Sequence, residues 1–172
     1  GVFIFNVGHP TDIGPGVGQG FVKLFGDRSI LALYPYIMAE RILDVTPFQL
    51  EEDCVWVKQN VLGSYNEKIR LVNNYEHFFV FTKTDTWKFV PPANARGQLL
   101  TGWIGAANHE RFNQTTAFDE NLTASLVAIF TEEGDTVLDP LAGAGTLGRV
   151  ALRMKRNAVL YEQDLDFKPI IE

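Results

Sequence analysis

Val137-Leu138-Asp139-Pro140-Leu141-Ala142-Gly143-Ala144-Gly145-Thr146 is an apolar run that ends in an acid, followed by a glycine-rich turn that opens a helix-like stretch. Glu162 stands just beyond the next apolar run. A strand, a side-chain-free turn and a helix in that order hold a nucleotide-like ligand at the edge of an α/β sheet. Of the 172 residues, 26 follow Thr146. That is too few to build a nucleotide-binding domain, so the rest of the sheet is expected upstream.

Gly143-Ala144-Gly145-Thr146-Leu147-Gly148 satisfies G-x-G-x-x-G literally, and Glu162 lies near the offset at which an acid meets ribose hydroxyls. The pattern alone does not choose the cofactor. A dinucleotide fold places its first glycine directly after the strand, so that pyrophosphate rests on the helix N-terminus. Here Asp139-Pro140-Leu141-Ala142 intervene. A carboxylate at Asp139 repels pyrophosphate but suits a ligand bearing a positive amine. S-adenosylmethionine has that amine, carries a sulfonium and has no phosphate.

Periodicity organises the rest of the chain. Val2 to Val7 reads as a buried strand, and a strand so close to Gly1 suggests that more chain precedes it. Gly8 to Gly26 alternates Gly14, Gly16, Gly18 and Gly20, which reads as a loop or lid, since no Lys-Ser/Thr pair follows to cradle phosphate. Arg28 to Asp44 has helical spacing despite Pro35, and Cys54 to Lys58 is a short strand. Gln59 to Asn74 is polar, with Lys68 and Arg70, and His77 to Thr82 is a second strand. Lys83 to Phe118 has no clear period. Leu122 to Phe130 is a helix, Thr136 to Asp139 and Ala158 to Tyr161 are strands, and Thr146 to Arg156 is the helix between them.

Composition narrows the class. With 46% apolar residues the chain can build one domain with a sizeable core. No apolar run approaches the roughly 18 residues of a membrane span, and no secretory leader is visible. A cytoplasmic protein fits these features. Cys54, the single cysteine, reads as a buried free thiol. Three separated histidines, His9, His77 and His109, read as surface or loop residues without ligand spacing, so no metal is expected. The net charge of −6 excludes a globally basic surface but leaves room for a local basic groove.

Four segments together resemble one family. Asp139 to Thr146 resembles the Asp-Pro-Phe-x-Gly-Ser-Gly-Thr motif of DNA amino-methyltransferases acting on adenine N6 or cytosine N4. Val55-Trp56-Val57-Lys58-Gln59-Asn60 resembles that family's Trp-x-Lys-x-Asn strand, and Asn74 to Lys83 its Tyr-Glu-x-(apolar)4-Thr-Lys strand. Ala117-Phe118-Asp119-Glu120-Asn121-Leu122 resembles its Pro-Phe-Pro-Glu-x-Leu segment. The departures are Leu141 for Phe, Ala144 for Ser and Asp119 for Pro. The matches follow the permuted, beta-class order. They imply a Rossmann-like α/β methyltransferase sheet with helices on both faces.

By position, the resemblance implies that Asp139, Pro140, Leu141, Ala142, Gly143, Ala144, Gly145 and Thr146 line an S-adenosylmethionine pocket. Glu162 would bind the ribose, and Phe118 and Thr116 would flank the methionine moiety. Lys58 would close the substrate side or stand solvated at a strand end. Target recognition is expected within 84–113, where Lys88, Arg96 and Arg111 interleave with Trp87, Phe89 and Trp103. A solvated loop anchored by tryptophans is the alternative. DNA is the implied partner, while RNA or a role as a catalytically inactive remnant stays open, as does a homodimer. The family's Asp/Ser/Asn-Pro-Pro-Tyr/Phe tetrapeptide is not in the chain: Pro91-Pro92 is flanked by Val90 and Ala93. The catalytic strand is therefore expected upstream of Gly1, and a ladder between Val2–Val7 and Thr136–Asp139 would refute that expectation.

Overall fold

The computed structural model describes residues 1–7, 30–58, 74–91, 102–105, 111–112, 115–116 and 118–171. They belong to two compact units, Gly1–Trp87 with Leu100–Gly105, and Lys88–Leu99 with Ala106–Glu172. No helix among the described residues is long and apolar enough to cross a membrane.

The first unit contains β1 (Val2–Val7), α1 (Ile30–Val45), β2 (Gln49–Lys58), β3 (Tyr75–Thr82) and β4 (Gly102–Gly105). The sheet order is β1-β3-β2-β4, with β3 antiparallel to both neighbours and β4 parallel to β2. The sequence explains why β3 is central. Successive side chains of a strand point to opposite faces, and every residue from His77 to Thr82 is buried, so both faces of β3 are covered. On one face Phe79 and Phe81 pack with Val7 and with Ala39 of α1, flanked by Phe3, Phe5, Tyr34, Ile42 and Phe48. Full burial of Phe79 and Phe81 stabilises the fold by about 1.5–3 kcal/mol each through area removed from water.

Several boundaries differ from the sequence reading, each for a local reason. β2 starts at Gln49, five residues before Cys54, because its charged half finds partners on β3. Thr82 Oγ1 donates to Glu51 Oε1 at 2.7 Å, and Asp53 Oδ1 lies 2.8 Å from His77 Nδ1. A bulge between Leu50 and Glu52 breaks the period-two pattern there. β4 runs through an interval that reads as aperiodic. His77 is not a surface or loop residue: it is buried on β3, paired with Asp53 and stacked on Phe79 at 5.5 Å between ring centroids. Cys54 is a buried free thiol as expected, its pKa pushed up to about 11 mainly by burial. His9, His109 and the alternating-glycine segment lie outside the described residues, as do Lys68 and Arg70.

The second unit contains β5 (Arg111–Phe112), β6 (Thr115–Thr116), α2 (Glu120–Phe130), β7 (Thr136–Asp139), α3 (Thr146–Arg153), β8 (Asn157–Leu160), a 3-10 turn (Leu165–Phe167) and α4 (Lys168–Ile171). β5 and β6 pair as an antiparallel hairpin, while β7 and β8 pair in parallel with α3 as the crossover between them. Among the described residues of this unit, β7 has β8 as its ladder partner.

α3 ends at Arg153, three residues before the boundary read from sequence. The Lys155 N–H donates to Leu152 O (3.0 Å) and the Arg156 N–H to Ala151 O (2.8 Å), with Lys155 at φ 61°. This is a Schellman termination. Glycine normally marks it, and here a lysine stands in the left-handed position, so the stop carries no sequence signal. The strand after it is Asn157–Leu160, shifted one residue from Ala158 to Tyr161.

Candidate functional site

The turn after β7 is built from backbone. Asp139 Oδ1 accepts the Leu141 N–H at 3.1 Å, which folds the chain sharply at Pro140. The two strands then extend their pairing past their ends: Tyr161 N–H donates to Asp139 O and Ala142 N–H to Tyr161 O, both at 2.9 Å. Gly143 (φ 50°) and Gly145 (φ 74°) adopt left-handed conformations that a β-carbon disfavours. Gly145 is the N-cap of α3, with no side-chain capping hydrogen bond. The third glycine has another duty. A β-carbon on Gly148 would stand 2.5 Å from Leu160 Cδ1, so its absence lets α3 lie directly on β8.

Glu162 is fixed on this turn. Its Oε2 accepts the Gly143 N–H at 2.7 Å and its Oε1 accepts the Asp164 N–H at 2.8 Å. The N–H groups of Asp164 and Gly143 hold its carboxyl below the ordinary carboxylate range. The carboxylate has four acceptor sites in all, and the N–H groups of Asp164, Gly143 and Gln163 do not fill them, so it can still accept a hydroxyl. Two open clefts meet at this side chain. One, of about 200 Å³, is lined by Leu160, Asp164, Leu165, Lys168 and Ile171 together with Glu162. The other, of about 270 Å³, is lined by Pro140, Leu141, Tyr161, Glu162 and Gln163. Each is smaller than the ~300 Å³ at which small-molecule sites usually begin, and Glu162 is common to both. Leu141 is 84% exposed at the mouth.

The structure therefore brings together the residues from Asp139 to Thr146 and Glu162. Phe118, half-buried, directly precedes Asp119, the N-cap of α2, whose side chain accepts the Leu122 N–H at 2.7 Å. The aspartate at the family's proline position is thus a helix cap. Thr116 lies on β6, in register with Arg111 on β5.

The cations assigned to nucleic acid are differently placed. Lys58 is paired with Glu76 and lies 5.2 Å from the centroid of the Trp56 ring. Lys88 Nζ stands 2.6 Å from Asp135 and 3.1 Å from Glu132, which raise its pKa. Arg96 lies outside the described residues.

Sequence reasoning missed Arg149 and Glu120. Arg149 donates through Nη1 to the Ala144 carbonyl, and its Nη2 lies 3.6 Å from Glu120 Oε1. Thr146, Arg149 and Arg153 recur at i, i+3 and i+7, one face of a helix, and that spacing was the available signal.

Comparison with known proteins bears on the family and the fold. Over 169 residues, 96% of the chain, it is 30% identical to the type II methyltransferase M.MwoI of Methanothermobacter wolfeii, covering 22% of that protein. Over 59 residues, 34% of the chain, it is 46% identical to M.MjaI of Methanocaldococcus jannaschii, covering 20% of it. The matched segments thus cover about a fifth of the length of these relatives. Its fold matches the PvuII cytosine-N4-specific DNA methyltransferase with a TM-score of 0.73 at 23% identity, over 95% of this chain and 60% of that one. It also matches a complex of M1.HpyAVI with SAM with a TM-score of 0.67 at 22% identity, over 84% and 69%. The α/β fold is therefore shared with DNA methyltransferases. The family model described as DNA methylase matches residues 1–172, and the chain belongs to that N6_N4_Mtase family.

Proposed function

We propose that this chain is the cofactor-binding and scaffold portion of a DNA amino-methyltransferase that uses S-adenosylmethionine to methylate adenine N6 or cytosine N4. The observation that carries the reading is Glu162 seated on the glycine turn by Gly143, with acceptor sites to spare. Family membership supports it, as do the type II methyltransferase names of the relatives and the DNA methyltransferase title of a solved structure with this fold.

The residues present fit that cofactor. A β-carbon at Gly143 would meet nothing within 4 Å, so backbone is open to a ligand there. Asp139 supplies the negative charge that a cationic amine favours and a pyrophosphate does not. When bound, S-adenosylmethionine supplies an activated methyl group. The chain's own residues do the holding: Glu162 accepts hydroxyls, Asp139 to Thr146 line the pocket, and Phe118 with Thr116 flank it. Rate enhancement of this kind rests on orientation, for which a backbone-built turn is well suited. The cytoplasm is the compartment in which such an enzyme meets DNA.

The catalytic tetrapeptide is assigned to sequence preceding Val2, in the permuted order. Target contacts are assigned to 84–113, with Lys58, Lys88, Arg96 and Arg111 as candidate cations. Lys58 and Lys88 would have to exchange carboxylates for phosphates.

Titration calorimetry on the full-length protein tests the cofactor. S-adenosylmethionine is expected to bind and NADH to give no heat, and Glu162→Ala is expected to weaken binding about tenfold or more, as loss of a charged acceptor does. Absence of S-adenosylmethionine binding overturns the reading. Transfer of labelled methyl to RNA but not to DNA would overturn the substrate assignment.

A further inference from the structure

The stretches assigned to the cofactor, 116–118 and 139–146, belong to different motifs, yet one residue outside both ties them together. Arg149 stands one turn into α3. Its Nη1 donates to the Ala144 carbonyl, and its Nη2 lies 3.4 Å from Thr146 Oγ1 and 3.6 Å from Glu120 Oε1. Glu120 is the first residue of α2, two after Phe118, and its other oxygen accepts from Arg153 Nη1 at 3.0 Å. Arg153 and Arg149 lower the Glu120 pKa, which keeps the bridging group charged.

The need for such a brace follows from the turn. Ala144 is buried and sits between two glycines at positive φ, the residues least able to fix their own backbone direction. Gly145 offers α3 no side-chain cap. A planar guanidinium can hold a carbonyl, a hydroxyl and a carboxylate at fixed angles at once, whereas an ammonium acts as a point charge.

We propose that Arg149 is a positioning residue for the methyl donor. It sets the Ala144 carbonyl and the Thr146 hydroxyl in their ligand-receiving arrangement and locks the turn to the start of α2. This rests on the reading that 139–146 bind S-adenosylmethionine.

Calorimetric affinity for S-adenosylmethionine, measured beside thermal midpoints in the full-length protein, tests it. Arg149→Met keeps the aliphatic bulk and is expected to weaken binding about tenfold, the scale of one charge-assisted contact. Arg149→Lys is expected to recover part of that loss. Glu120→Gln, which leaves the contacts to Ala144 and Thr146 in place, is expected to weaken binding less than about threefold. Binding by Arg149→Met within twofold of wild type overturns the proposal. So does an equal loss in the Met and Lys variants that merely follows their fall in midpoint. Should Arg149→Met fail to fold, the Lys variant decides alone, and affinity equal to wild type then counts against the proposal. Failure of the wild type to bind would instead overturn the cofactor reading.

Discussion

The β1-β3-β2-β4 sheet and the β7-turn-α3-β8 segment of this chain are stabilised by different means. In the first, side-chain volume does it: Phe78, Phe79, Val80 and Phe81 are fully buried in sequence, and α1 covers one face. In the second, backbone does it: glycines at positive φ, N–H groups on carboxylates, and a helix lying on a strand where a β-carbon is missing. Volume is robust to small chemical changes, while a backbone-built turn leaves its polar atoms accessible to a ligand. The division separates what stabilises from what recognises.

The comparison breaks most visibly at Phe81, which has no exposed surface. Phe81→Ala is expected to cost about 3–5 kcal/mol in denaturant unfolding, transfer and cavity terms together. A loss below about 1 kcal/mol would mean that the sheet is not held by volume. Gly148→Ala probes the other principle. Helix propensity favours alanine by about 1 kcal/mol, yet the new β-carbon would overlap Leu160, and overpacking costs about 1–3 kcal/mol. A net destabilisation is expected, with partial recovery in the double variant Gly148→Ala/Leu160→Ala. Additive losses would show that close packing is not the reason for the glycine.

Asp119→Ala removes a cap and is expected to cost about 1 kcal/mol. An unchanged midpoint would return Asp119 to a role outside the helix. The smallest effect is acid dependence at Glu162. Its folded-state pKa is lowered, so its contribution is complete above the ordinary glutamate pKa and disappears as pH falls through the lowered value. The stability gap between wild type and Glu162→Gln should therefore narrow below about pH 4.3, the unperturbed glutamate value. A gap constant from pH 7 to pH 3 would show that the N–H contacts do not favour the charged form.

Much of the site was legible because its signals are local. An apolar run, an acid, glycines and a second acid at a fixed distance are all visible in one dimension, and β7 and Glu162 stand where the sequence puts them. The parts that escaped depend on register. Asp53 pairs with Phe79 across the ladder, so His77, two positions along, becomes its diagonal neighbour on the same face. Nothing in the string shows that diagonal. Arg149 escaped for a related reason, since its partners are a carbonyl and a carboxylate 29 positions upstream. The end of α3 was hidden because Lys155 occupies a glycine's conformation.

That lysine turn also acts as a ruler. Gly134 N–H donates to Lys155 O at 2.9 Å, Asn157 N–H to Asp135 O at 2.7 Å, and the Asn157 amide to Gly134 O at 2.8 Å, which starts β8 opposite Thr136. One extra codon between Met154 and Asn157 would slide the strand by about 3.3 Å and rotate its side chains to the other face. Glu162 would then miss Gly143, although no residue of the site had been altered. The number of residues in this distant bend sets the position of the carboxylate.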